Sequence, residues 1–326
     1  PQSHATTAQV VIHIPPKSAQ AAAHTRRPAY VSPSTASINI AVDGGTPVNT
    51  PLSSTSPNCT TSGNPPATSC AITIDVPTGG MHSFAFTALD TNGATLSTNT
   101  VTQTLNAGTT NTLNVTLNGI AAGVNATFNT ANLNVEPTSS GIVIAPETST
   151  SALSFQVLPV ALDADGNMIV GPGTPSLTVT SASFISGGNN TFTAQSPGEG
   201  TITITATNAD TTTATANFTI FANTTAPPFT ASSFTFSPAS PATIPSSPEP
   251  LVTVASSTYS GPLSVNAFCD PGSMANLSTD TLLTLPVSSA SFSFFLTGST
   301  LPNTSCDLDF VDAFSDVIQY QVTITM

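Results

Sequence analysis

Short runs of strictly alternating apolar and polar residues, separated by Gly, Asn and Pro, recur from one end of this sequence to the other. Ile202, Ile204 and Ala206 stand between Thr201, Thr203 and Thr205, and Ile318, Tyr320, Val322, Ile324 and Met326 alternate with Gln and Thr. Side chains leave a strand on opposite faces at each step, so such a run buries one face as a strand, whereas a helix would scatter it. Gly44-Gly45, Gly79-Gly80, Asn92-Gly93 and Asn106-Ala107-Gly108 punctuate the first third. Short strands between such turns predict β-sandwiches. The 326 residues suit two or three domains of about 100 residues each.

The expected fold class is all-β, with tandem immunoglobulin-like β-sandwich domains preceded by an isolated N-terminal strand and a linker. Residues 1–15 hold the strand, in which Ala8, Val10, Ile12 and Ile14 share one face, and residues 16–36 are the linker. A first sandwich is expected over 37–119, a second over 120–222 and a third over 251–326, with 223–250 a Pro-rich bridge. Val157 to Val170 reads Val-Leu-Pro-Val-Ala-Leu-Asp-Ala-Asp-Gly-Asn-Met-Ile-Val, and Gly198 to Ala206 reads Gly-Glu-Gly-Thr-Ile-Thr-Ile-Thr-Ala. Both resemble the bacterial Ig-like (Big) domains of surface proteins, in which a D-x-x-G-N hairpin joins two central strands. That resemblance implies a fold and no chemistry.

Charge narrows the partners. The three basic residues are Lys17, Arg26 and Arg27, and all sixteen acidic residues follow them. A body from Pro28 onward with acid and no Lys or Arg cannot neutralise phosphate, so nucleic acid and anionic membrane surfaces are poor partners. It also cannot form the lysine isopeptide bonds that stiffen many Ig-like pilins. No run approaches the roughly 20 apolar residues of a membrane span, so no membrane insertion is expected. The chain reads as a mature, already processed secretory product.

The four cysteines form two local pairs, Cys59 with Cys70 and Cys269 with Cys306, without C-x-x-C spacing. Two disulfides in an oxidising compartment are expected, the alternative being buried thiols. A secreted, extracellular or cell-surface location follows.

Two acidic groups suggest calcium. Asp163 and Asp165 sit at alternate positions as in a calcium loop, but Thr174 occupies the place of the glutamate such a loop needs, and a hairpin turn explains them as well. Asp307, Asp309, Asp312 and Asp316 form a denser group, read either as a Ca²⁺ site or as a solvated acidic edge. No other cofactor is expected. The histidines are His4, His13, His24 and His82, and no G-x-S-x-G elbow accompanies them, so an enzyme is not expected. With no Trp and only Tyr30, Tyr259 and Tyr320, aromatic sugar platforms are scarce.

An apolar strand without a neighbouring partner needs a sheet edge, in its own domain or in another chain. Residues 15–36 reach up to about 70 Å. The expected function is therefore a structural subunit of an extracellular, pilus-like filament. Other copies of itself would be the partners, in a head-to-tail homopolymer built by donation of the N-terminal strand. The pattern resembles donor-strand pilins. The alternative is a monomeric multi-Ig adhesin or stalk that binds a host, cell or matrix ligand.

Overall fold

The computed structural model describes residues 6–16, 31–76, 79–148, 152–182, 185–194, 198–245, 251–269, 274–277, 282–285, 290–297 and 304–325. The described chain is all-β apart from one 3₁₀ turn at Ala231–Ser233, and none of its helices is long and apolar enough to cross a membrane. It divides into two compact units, one of Pro1–Ala126, Pro159–Thr178 and Ile204–Ala216, the other of Thr127–Leu158, Val179–Thr203 and Asn217–Met326.

The first nine strands are β1 (Thr6–Ile14), β2 (Ser37–Val42), β3 (Val48–Pro51), β4 (Cys59–Ser62), β5 (Ala67–Val76), β6 (Gly80–Leu89), β7 (Thr95–Leu105), β8 (Thr110–Thr112) and β9 (Asn118–Gly119). They form two sheets, β4-β5-β1-β8 and β3-β2-β6-β7-β9. Val10, Ile12 and Ile72 of one sheet share a core with Ile38, Phe84 and Phe86 of the other. The alternation in each strand places these side chains on the inner faces, which makes the pair of sheets a sandwich.

The next nine are β10 (Gly123–Asn129), β11 (Leu133–Pro137), β12 (Gly141–Pro146), β13 (Ser154–Leu162), β14 (Ser176–Ala182), β15 (Ile185–Gly188), β16 (Thr191–Ala194), β17 (Gly198–Thr207) and β18 (Thr213–Ala222). Their sheets run β10-β13-β16-β15 and β11-β12-β18-β17-β14. In β17, Ile202, Ile204 and Ala206 are fully buried.

The last nine are β19 (Phe234–Ser237), β20 (Ala242–Pro245), β21 (Leu251–Ser256), β22 (Gly261–Cys269), β23 (Met274–Leu277), β24 (Leu282–Leu285), β25 (Ala290–Thr297), β26 (Thr304–Val311) and β27 (Val317–Thr325). They order as β19-β21-β25-β23 and β20-β27-β26-β22-β24. Val252 and Val254 meet Leu308, Phe310 and Tyr320 in one core. Residues 223–250, expected as a bridge, instead supply β19 and β20, and Phe229, Phe234 and Ile244 are buried in this core. Both strands lie at sheet edges. Proline is tolerated there because the outward N–H has no ladder partner to lose, so a Pro-rich stretch can still be strand.

Side-chain amides tie successive sandwich strands together. In the first unit Asn208, 4% exposed, accepts the Ala121 N–H at 2.8 Å and donates to the Ala121 carbonyl at 3.2 Å. In the second unit Asn223, fully buried, donates to the carbonyls of Ile144 and Ser260 at 3.2 Å and accepts the Ser260 N–H at 2.6 Å. Removing such an amide would leave buried backbone groups unpaired, at about 1–3 kcal/mol each.

Candidate functional site

Two features stand out: the seat of the N-terminal strand, and an acidic turn in the second unit. β1 lies between β5 and β8 of its own chain, antiparallel to β5 from Thr6↔Val76 to Ile14↔Thr68, and parallel to β8 over Thr7–Gln9. Ala8, Val10, Ile12 and Ile14 are at most 7% exposed. The three larger ones each contribute about 2 kcal/mol by burial, so the first sandwich is incomplete without them.

The connection back to β2 is topologically short. β5 ends at Val76 and β6 starts at Gly80, so these lie at one end of the sandwich. Ile14 faces the start of β5, and Ser37 faces Leu89 at the far end of β6. Residues 15–36 thus begin and end at the same end. Of the residues between, Lys17, Arg26 and Arg27 lie outside the described ones. The last two strands belong to different sheets, β8 pairing with β1 and β9 with β7. Past Gln9 the outer side of β1 therefore has no strand beside it among the described residues, and Val11 is 47% exposed.

Cys59 is bonded to Cys70, directly across β4 and β5, and Cys269 to Cys306, across β22 and β26. Each disulfide joins residues that the ladder already sets opposite one another. His82 Nδ1 meets Asp43 Oδ2 at 2.7 Å. Asp43 also accepts the Ser83 N–H, and this bond with the His82 contact holds the exposed carboxyl below its usual range.

The four aspartates of the C-terminal acidic group separate into two pairs. Asp307 and Asp309 lie on β26, opposite Phe268 and Asn266 of β22 and Gln321 and Gln319 of β27. Asp312 and Asp316 lie in the turn that follows. Among the described residues no three His, Cys, Asp or Glu side chains assemble as metal ligands.

That turn belongs to a recurring design. At Asp90, Asp163 and Asp312 the backbone N–H of the first residue donates to the carbonyl of the fifth, and the fourth N–H donates back to the first carbonyl, at 2.9–3.3 Å. In each, one Oδ1 accepts the N–H of the third and fifth residues: Asn92 and Ala94 at 2.8 and 2.7 Å, Asp165 and Asn167 at 3.0 and 2.9 Å, Phe314 and Asp316 at 2.8 and 3.0 Å. All three aspartates are at most 6% exposed. Asn208 starts a fourth turn with the same backbone bonds but gives its amide to Ala121. The sequence marks the Asp163 hairpin but not the turns as one set, although the D-x-x-G spacing at Asp90 is a visible signal.

The second oxygen separates the three. Asp90 Oδ2 receives the Asn92 amide at 3.4 Å and Asp163 Oδ2 the Asn167 amide at 3.2 Å. Asn167 Nδ2 also reaches Ser32 Oγ and Ser34 Oγ at 3.1 and 3.0 Å, drawing the segment before β2 onto the Asp163 turn. Asp312 Oδ2 is buried and has no hydrogen-bond partner, and the carboxyl within reach of Asp312 is that of Asp316. Burial first, and the Asp316 charge after it, push the Asp312 carboxyl up to about 6.

No known family model and no curated protein matches the sequence. Among solved structures, the chain is similar to the Yersinia pseudotuberculosis adhesin InvE at 12% identity and a TM-score of 0.31, over 61% of this chain and 60% of the adhesin. It is similar to the D00-D0 domain of intimin at 8% identity and a TM-score of 0.21, over 61% of this chain and all of that one. The fibronectin(III)-like modules of Clostridium thermocellum CbhA align at 10% identity and a TM-score of 0.20, over 60% of this chain and 93% of theirs.

Proposed function

We propose that the chain is an exported structural protein, a stalk-type spacer of a cell-surface or extracellular assembly, whose first sandwich is closed by its own N-terminal strand. The observation that carries this reading is the seating of β1 in register along nine residues of β5, with four buried side chains. The two disulfides support export, because such bonds persist only in oxidising compartments. The buried amides of Asn208 and Asn223 support a mechanical role, since they fix backbone across successive sandwich strands. Alkylation of native material is the first test: all four cysteines should stay unlabelled until reduced, and free thiols would overturn export.

Strand donation between copies is a second reading. It is favoured by residues 15–36, which are longer than a connection within one end of a sandwich requires, and by the uncovered side of β1 past Gln9. The same groove would accept the same strand from another copy. A tether of this length holds its own strand at an effective concentration of about millimolar, so closure within one chain wins at micromolar protein. Sedimentation at micromolar concentration should therefore show monomer, and removing residues 18–30 should convert it to strand-exchanged oligomers. Polymers in the intact chain, lost on deleting residues 1–16, would establish the filament instead.

A further inference from the structure

We propose that the turn at Asp312 takes up one proton between Asp312 and Asp316, in the place where the Asp90 and Asp163 turns carry an amide, and that this proton holds the strap at Phe229 against the third sandwich. In both reference turns the capping aspartate accepts two backbone N–H groups on Oδ1 and an Asn amide on Oδ2. The Asp312 turn keeps the two backbone donors and puts a carboxyl where a donor is needed. Two carboxylates are both acceptors, so only an O–H···O bond satisfies the buried Oδ2. The step is a protonation from solvent: two charges become one and one hydrogen bond forms.

Among the described residues there is no Lys or Arg, so neither supplies a compensating charge. Among them a further titratable group against the turn is Tyr259, whose phenol donates to the Pro262 carbonyl at 2.6 Å and accepts the Ala313 N–H at 3.0 Å. Burial, Asp312 and Asp316 all push that phenol up, so it stays neutral.

The strap is the part that responds. Asp316 Oδ2 accepts the Phe229 N–H at 2.6 Å. The Phe229 ring packs at 5.0 Å from Tyr259 and 6.1 Å from Phe314. With both carboxyls ionised, repulsion moves the more exposed Asp316 away from the buried Asp312, and the Phe229 N–H loses its acceptor. A folded carboxyl raised above its unfolded value stabilises the fold most below the unfolded value near 3.8 and loses that contribution as pH rises through about 6.

Tyr259 and Tyr320 are both buried in the third sandwich, so near-ultraviolet circular dichroism of the full chain reads this region. In urea titrations the unfolding constant should rise roughly 25-fold from pH 4.5 to 7.5, and Asp316→Asn, which restores an amide, should cut that rise to about threefold or less. Should that variant fail to fold, ¹³C titration of the intact protein decides, with the Asp312 carboxyl carbon expected to titrate near 6. An ordinary titration near 4, or an undiminished pH response in Asp316→Asn, would overturn the proposal. So would Ca²⁺ at millimolar concentration restoring stability at pH 7.5, which would make this a cation site.

Discussion

The turns at Asp163 and Asp312 share their backbone hydrogen bonds and the double acceptance by Oδ1, and both aspartates are almost fully buried. The fifth residue differs. Asn167 donates its amide to the Asp163 carboxyl and to two serines, while Asp316 brings a second carboxyl to Asp312 and spends its own oxygen on Phe229. The same hairpin geometry therefore sets the capping carboxyl against a donor or against a second acceptor according to one side chain. The backbone sets where a buried charge goes, and the neighbour decides whether the charged or the neutral form fits.

Truncating the cap should separate the two turns most. Asp163→Ala leaves two backbone N–H groups and the Asn167 amide without their acceptor, at a cost of about 3 kcal/mol by urea denaturation at pH 7.5. Asp312→Ala also removes a buried carboxylate that faces a like charge, and the cost should be about 1 kcal/mol at that pH. Equal losses would mean that the second oxygen does not matter.

Exchanging the neighbour should move the behaviour. Asn167→Asp places a second carboxyl against Asp163 and should destabilise the first unit by about 2 kcal/mol at pH 7.5, with recovery below pH 5. Hydrogen exchange at the Asp165 and Asn167 amides, both bonded to Asp163, would follow it locally. A loss that is the same at both pH values would trace only to the serine contacts. The reciprocal change, Asp312→Asn, keeps an acceptor for both N–H groups and offers an amide to Asp316. It should stabilise the second unit by about 1 kcal/mol at pH 7.5 and flatten its pH profile; a loss of stability there would contradict the shared proton.

Much of the fold is legible in the sequence, for local reasons. Alternation in Ile318, Tyr320, Val322 and Ile324 identifies an inner face wherever the strand goes, and all four are buried. Nothing within β1 names its partner, because any open edge satisfies its backbone, and β5 begins 53 residues after Ile14. Residues 223–250 read as a Pro-rich bridge because the edge positions of β19 and β20 are a property of the sheet, not of the segment. Asp163 was legible as a turn from the Gly-Asn that follows. Asp312-Ala-Phe-Ser-Asp was not, since Ser315 stands where Gly166 stands in the other turn. The acids at 307–316 read as one patch, although Asp312 is the buried one of the four.

That fourth position carries the smallest predicted effect. Gly93 and Gly166 hold φ of 84° and 76°, and the equivalent Thr211 and Ser315 hold 71° and 69°. Left-handed backbone is strained for a side chain bearing Cβ, more so when it is branched. Thr211→Gly should then stabilise the first unit by about 1 kcal/mol and Ser315→Gly the second by about 0.5 kcal/mol, each net of the entropy that glycine adds to the unfolded chain. Thermal melts at pH 7.5 would show both, and Gly166→Ser should cost a similar amount. Because φ strain does not involve the proton, the Ser315→Gly gain should be the same at pH 4.5 as at 7.5. A gain confined to the higher pH would mean instead that the turn relaxes to part Asp312 from Asp316.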